Sequence, residues 1–202
     1  MDKSKVIVIC GPTASGKTAL SIELAKKING EIISCDSMQI YKYMDIGTAK
    51  PTPEEQKEVK HHLIDFVEPD QRYSVAEYKK DAEKSIEEIL AKGKTPIIVG
   101  GTGLYVDSLI YGIEYPEIEL DEEYRKQLEK EANENGLESL YNRAKEIDSK
   151  AMEKISPNDK KRIIRVLEIY KATGKTKTEQ EIESRAHEVK YDYKVFAIKM
   201  DR

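Results

Sequence analysis

The chain has 202 residues, 36% of them charged, and a formal net charge of -4. That length buries one proper core with room for a smaller satellite, and no apolar run approaches the roughly 20 residues of a membrane span. Two cysteines, Cys10 and Cys35, exclude a disulfide framework and have no metal-ligand spacing, and the acidic balance argues against wholesale nucleic-acid binding while leaving room for a local basic stripe.

Met1 to Lys5 leads directly into a strand with no signal-peptide pattern, so a cytoplasmic protein with reduced thiols is expected. Val6 to Cys10 is a continuous apolar run, the pattern of a buried parallel strand, and Thr18 to Lys27 reads as a helix. Between them Gly11, Pro12, Thr13, Ala14, Ser15, Gly16, Lys17 and Thr18 match G-x-x-x-x-G-K-[ST] without deviation. Glycine lets successive N–H groups face an anion, the helix adds its positive end, and Lys17 adds a point charge. The spacing therefore predicts a site for a diphosphate or polyphosphate, with Thr18 placed to ligate Mg2+.

Glu31 to Cys35 reads as the second strand, so Asp36 should project at the carboxyl edge of the sheet near the phosphate loop. It could serve as a magnesium carboxylate, a general base or a turn cap. Lys42 to Pro53 is a loop; Glu54 to Lys60 is a short helix capped near Thr52; His61 to Val67 is expected as a third strand. Its paired histidines point to opposite faces of that strand, which favours structural roles over metal binding. Ser74 to Lys92 is the clearest helix, with Ser74 and Glu77 spaced as a capping box and Gly93 as its stop. Thr95 to Val99 is a strand ending in Gly100-Gly101-Thr102-Gly103, and a helix follows from about Leu104 to Leu109. An ordinary nucleotide hydrolase ends such a strand in a magnesium-holding Asp; here Gly100 stands instead, and Asp36 is the comparable carboxylate.

From Asp121 the chain becomes helical and highly charged. Helices are predicted over Asp121 to Asn133, over Leu137 to Ile147, and from Ser156 to Gly174. Between Lys160 and Lys177 seven basic residues face one acid, Glu168, a local charge of +6. Such a run is either a solvated face or a grip on a phosphate backbone. Tyr191 to Met200 returns to a strand pattern. The expected architecture is an α/β, P-loop NTPase-like parallel sheet flanked by helices: a catalytic core over 1–115, an all-helical insertion over 116–190, and a returning strand over 191–202.

Gly11 to Thr18, Asp36-Ser37-Met38-Gln39-Ile40-Tyr41, Met44 to Pro51, His61 to Asp65, Tyr73 to Val75, Gly100 to Tyr105 and Pro157 to Arg162 together resemble the tRNA dimethylallyltransferases, in order along the chain. The resemblance implies transfer of a dimethylallyl group from its diphosphate to N6 of the adenine on the 3′ side of the anticodon, in tRNAs reading codons that begin with U. It implies that Gly11 to Thr18 cradles the diphosphate, that Lys17 and Thr102 act near the leaving group and that Asp36 is the base. It further implies that Asp36, Ser37, Met38, Gln39 and Thr102 meet the extruded adenine, while Asp159, Lys160, Lys161, Arg162 and Arg165 grip the anticodon stem-loop. Mg2+ is the implied cofactor and a monomer without membrane attachment the implied state. The chain stops short of the C-terminal third that relatives carry. A cytokinin-type adenylate transferase, a P-loop small-molecule kinase and a non-catalytic RNA-binding module remain alternatives.

Overall fold

The apolar runs become a five-stranded, wholly parallel sheet in the order β3-β2-β4-β1-β5, in a computed structural model that describes residues 3–115 and 121–199. The strands are β1 (Lys5–Cys10), β2 (Gly30–Cys35), β3 (His61–His62), β4 (Thr95–Gly100) and β5 (Asp192–Ala197). The helices among those residues are α1 (Lys17–Ile28), α2 (Pro53–Glu58), α3 (Val75–Ala91), α4 (Gly103–Ile110), α5 (Glu122–Asn135), α6 (Glu138–Ile147), α7 (Ser149–Met152), α8 (Lys160–Thr173) and α9 (Lys177–Ser184). Two compact units result, Met1–Glu114 with Glu188–Arg202, and Tyr115–His187. The expected boundary at Pro116 and the expected strand end at Met200 lie outside the described residues.

In the first unit β1, β2 and β4 are covered on both faces, which is why they read as unbroken apolar runs, whereas the far half of β5 is exposed. Val6, Val8, Ile33, Cys35 and Ile98 pack with Tyr78, Ala82, Ile86 and Ile89 of α3 and Tyr105, Val106 and Leu109 of α4. The alternate positions Ile9, Ile32, Ile97 and Val99 pack with Ile22 and Ala25 of α1 and with Val59. The second unit has its own core of Leu128, Leu140, Ala144, Met152, Ile163, Ile164 and Leu167, among others.

The capping signals are realised. Ser74 Oγ accepts from Glu77 N at 3.2 Å while Ser74 N donates to the Glu77 carboxylate at 2.7 Å, and Thr52 with Glu55 repeats the box at α2. The third strand is much shorter than expected. Only His61 and His62 pair with β2, because Leu63 (φ 59°) and Asp65 (φ 55°) turn left-handed; pairing resumes as the single bridge Tyr41–Val67. Two short helices escaped the sequence reading. Both are fixed by one buried side chain: Asp148 caps α7 through Ala151 N (3.0 Å) and receives Thr178 N and Oγ1 of α9 (2.8 and 2.6 Å).

Candidate active site

Strand register builds the site. Cys10 and Cys35 both lie opposite Gly100, so β1, β2 and β4 end level and release Gly11, Asp36 and Gly101 along one edge. Gly100 has no alternative: a Cβ there would stand 2.0 Å from the Cys35 carbonyl oxygen. That is the physical reason the strand carries no terminal Asp. Gly11 is similarly confined, since its φ is 156° and a Cβ would meet the Ile198 carbonyl at 3.0 Å.

The 11–18 loop is held open by left-handed backbone at Ala14 (φ 61°) and Gly16 (φ 81°), and Gly16 stands before α1 with no side chain capping the helix. Its first-turn N–H groups therefore lack a side-chain acceptor, an arrangement suited to an anion. Lys17 Nζ folds back onto the loop, donating to the Pro12 carbonyl and, at 3.5 Å, to Ser15 Oγ. A cavity of about 290 Å³ is lined by Thr13 to Thr18 together with Asp36, Gln39, Ser34, Thr48, Ala49, Glu55 and His61. The loop and Asp36, 18 positions beyond Thr18 in sequence, thus share one chamber.

Asp36 caps its own turn. Its Oδ1 accepts from Met38 N (2.9 Å) and Gln39 N (3.3 Å), which fixes the carboxylate plane and leaves Oδ2 for a ligand. The cap reading and the functional readings are therefore compatible. Thr102 precedes α4 but does not cap it; its Oγ1 accepts from Ser37 N at 3.0 Å and donates toward Ser37 Oγ at 3.3 Å. Thr102 thereby pins the turn that carries Asp36. Thr102, Ser37 and Met38 are outside the cavity lining, and Met38 is 47% exposed.

Gln39 is fully engaged. It accepts from Ser34 Oγ at 2.9 Å and donates to the carbonyls of Thr48 (3.1 Å) and Ala49 (3.0 Å), clamping the 42–51 loop against the cavity. Lys50 locks that loop from beneath: its side chain is 5% exposed, and Nζ donates to Tyr41 O, Asp45 and Asp65 at 3.0, 2.7 and 2.5 Å. Burial alone would lower its pKa, yet the two carboxylates raise it, so the ammonium stays charged.

The histidines divide their work. His62 pairs with buried Glu31, a structural role. His61 Nδ1 lies 2.8 Å from the Val59 carbonyl and so carries the ring proton; Nε2 is left as a bare buried acceptor without a partner among the described residues, in a ring that lines the cavity. Burial lowers its pKa and keeps it neutral. The sequence gives His61 only a structural role and does not point to Ser34 or Thr48, because their convergence on the cavity depends on loop geometry.

Among the described residues no group of three His, Cys, Asp or Glu could hold a metal by itself. The cavity instead offers the Thr18 hydroxyl and the Asp36 carboxylate, hard oxygen donors of the kind magnesium takes alongside phosphate oxygens and water. The donor set fits that ion.

The second unit presents the other predicted residues. Asp159 caps α8 through Arg162 N (3.1 Å) and pairs with the Arg162 guanidinium at 3.2 Å; Lys160 donates to Asn133 at 2.8 Å. Lys161 is exposed, Arg162 is 71% exposed and Arg165 is 42% exposed. The +6 of the linear stretch is much reduced in space. Lys171 pairs with Asp121, Lys175 with Glu183 and Lys177 with Glu181, the last two acids supplied by the unforeseen α9.

A five-stranded parallel sheet flanked by helices, with a glycine-bounded loop and a carboxylate released along one edge, defines an α/β protein. Residues 39–202 match the IPP transferase family model, and the chain belongs to that family. It is similar to the tRNA dimethylallyltransferase of Acetivibrio thermocellus, with 57% identity over 197 residues, 98% of this chain and 63% of that protein. It is also similar to that of Thermoanaerobacter pseudethanolicus, with 54% identity over 85% of this chain and 54% of that protein. The chain thus spans 63% and 54% of the length of these curated relatives, less than two thirds of each. Among solved structures it resembles the tRNA delta(2)-isopentenylpyrophosphate transferase of Staphylococcus epidermidis (TM-score 0.60, 44% identity, 98% of this chain and 64% of that one). A eukaryotic dimethylallyltransferase described as acting on tRNA matches with TM-score 0.78 and 34% identity, over 96% of this chain and 48% of that one.

Proposed function

We propose that this chain carries the catalytic core of a tRNA dimethylallyltransferase, moving a dimethylallyl group from its diphosphate to N6 of the adenine 3′ of the anticodon. The observation that carries the reading is the cavity lined by both Thr13 to Thr18 and Asp36. Family membership and the names of its relatives support the substrate class. In the transfer the allylic C–O bond breaks, the N6–C bond forms, the N6 proton passes to Asp36 Oδ2 and diphosphate leaves. The 11–18 loop and Lys17 receive charge as it grows on the leaving oxygens. Asp36, held by Met38 N and Gln39 N, is aimed before substrate arrives, and Thr102 fixes its turn through Ser37. Magnesium, held by Thr18 and the diphosphate with Asp36 nearby, would supply further neutralisation of the leaving group. Ser37, Met38 and Gln39 would flank the extruded base. Lys161, Arg162 and Arg165 would meet the stem-loop phosphates, with Lys160 and Asp159 shaping that end of α8. The proposal takes the enzyme as a cytoplasmic monomer; no helix among the described residues is long and apolar enough to cross a membrane.

The test is transfer of labelled dimethylallyl from its diphosphate to unmodified tRNA, with AMP and an ATP-phosphorylation control in parallel. Label on tRNA supports the reading; label on AMP alone, or ATP turnover with a small acceptor, replaces it. Asp36→Asn keeps the turn cap but loses the base, so transfer should fall about 10²- to 10⁴-fold with tRNA affinity held. Lost tRNA binding would reassign Asp36 to recognition.

A further inference from the structure

Glu168 is the lone acid of the basic stretch, and the chemistry above leaves it unused. It lies on α8 between Leu167 and Ile169, 4% exposed, and both carboxylate oxygens are buried without a hydrogen-bond partner among the described residues. Two guanidinium groups face it instead. Arg125 Nη1, from α5, is 3.5 Å from Oε1, and Arg165 Nη1, one turn back on α8, is 3.6 Å from Oε2. Burying a carboxylate that accepts no hydrogen bond is expensive, and ion pairs at these separations offset only part of that cost. An apolar residue would serve this core better. The carboxylate does one thing an apolar residue cannot: it holds two arginines from different helices near one another against their repulsion. Both keep an outer surface, Arg125 at 36% and Arg165 at 42% exposure. Guanidinium groups fixed in this way are preorganised for phosphate oxygens, because less side-chain freedom is lost on contact.

We infer that Glu168 is a positioning residue, spacing Arg125 and Arg165 as a fork for RNA backbone phosphate; this rests on the tRNA reading above. The sign of the effect separates it from simple charge counting. Glu168→Gln removes a negative charge beside the RNA face, which by field alone should tighten binding. Loss of the fork should weaken it.

The experiment titrates an anticodon stem-loop RNA into the full chain at fixed salt, with thermal unfolding recorded alongside. Glu168→Gln should weaken binding about tenfold, as expected when an aligned charge contact is lost, and leave affinity for dimethylallyl diphosphate unchanged. In an Arg165→Ala background the same change should have little further effect, since interacting residues are non-additive. Unchanged or tighter binding by Glu168→Gln, or an equal loss in both backgrounds, overturns the positioning role. If Glu168→Gln does not fold, Glu168→Asp replaces it: weaker binding by the folded Asp variant supports the role and wild-type affinity overturns it. A wild-type chain that binds no RNA would bring down the tRNA reading and this role together, whereas a wild type that binds beside an indifferent variant overturns only the role.

Discussion

Gly100 illustrates how far a single residue can be read. That β4 ends without a carboxylate is visible in the sequence; why it must is not, because the colliding atom belongs to Cys35, 65 positions away. Gly100→Ala forces a backbone strand apart where a Cβ would stand 2.0 Å from a carbonyl oxygen. The expected outcome is several kcal/mol of lost stability, of the overpacking kind, read as a lowered urea midpoint. Cys35 beneath it is fully buried, and burial pushes its thiol up to about 12. It should resist alkylation at neutral pH until the protein unfolds, while partly exposed Cys10 reacts in the native state. Equal labelling of both thiols would show the sheet edge opening. Asp36 was foreseeable as a strand-end carboxylate, whereas the bare, buried Nε2 of His61 was not, since which ring nitrogen is left without a partner among the described residues depends on which one the Val59 carbonyl engages.

At the scale of elements, strong local signals survived and long-range ones did not. The Ser74 capping box announces α3 within four residues of sequence, and the alternation of β2 and β4 between two covered faces explains their apolar runs. The 61–67 stretch looked like a strand by composition, but left-handed Leu63 and Asp65 end the pairing after two residues. Helix α9 has few apolar residues and docks through Thr178 on Asp148, 30 positions back, which no periodicity reports. The 42–51 loop is likewise an element made by one buried cation. Lys50→Ala would remove the buried ammonium that joins the Tyr41 carbonyl to the solvent-exposed carboxylates of Asp45 and Asp65, costing about 1 kcal/mol. Because Gln39 holds the same loop at Thr48 and Ala49, the variant should also raise KM for the allyl diphosphate, measured by transfer at saturating tRNA. Unchanged stability and KM would mean that the loop is held by other contacts.

For the molecule as a whole, Glu31, at the other end of β2 from Asp36, contributes to acid stability. Burial would push Glu31 up, but Lys94, His62 and Lys92 outweigh it and hold the carboxyl at about 2, against an ordinary 4.5. A folded-state value below the unfolded one contributes stability that is complete above pH 4.5 and is lost as pH falls toward 2. The difference corresponds to on the order of 3 kcal/mol at neutral pH. Urea midpoints measured between pH 6 and pH 2.5, roughly the range over which such a carboxyl discharges, should fall more steeply for wild type than for Glu31→Gln; parallel curves would assign acid unfolding to other carboxylates. The parallel pairing of β1 with β5 has a different sort of consequence, one of timing. Lys5 lies opposite Asp192, so the edge of β1 stays bare during synthesis until nearly the whole described chain has emerged. Ile198, which abuts the glycine that opens the 11–18 loop, comes later still. A nascent chain therefore presents the 11–18 loop and Asp36 well before the strand and the Ile198 carbonyl that flank Gly11, and early folding of 115–187 would shorten the loop that β5 must close.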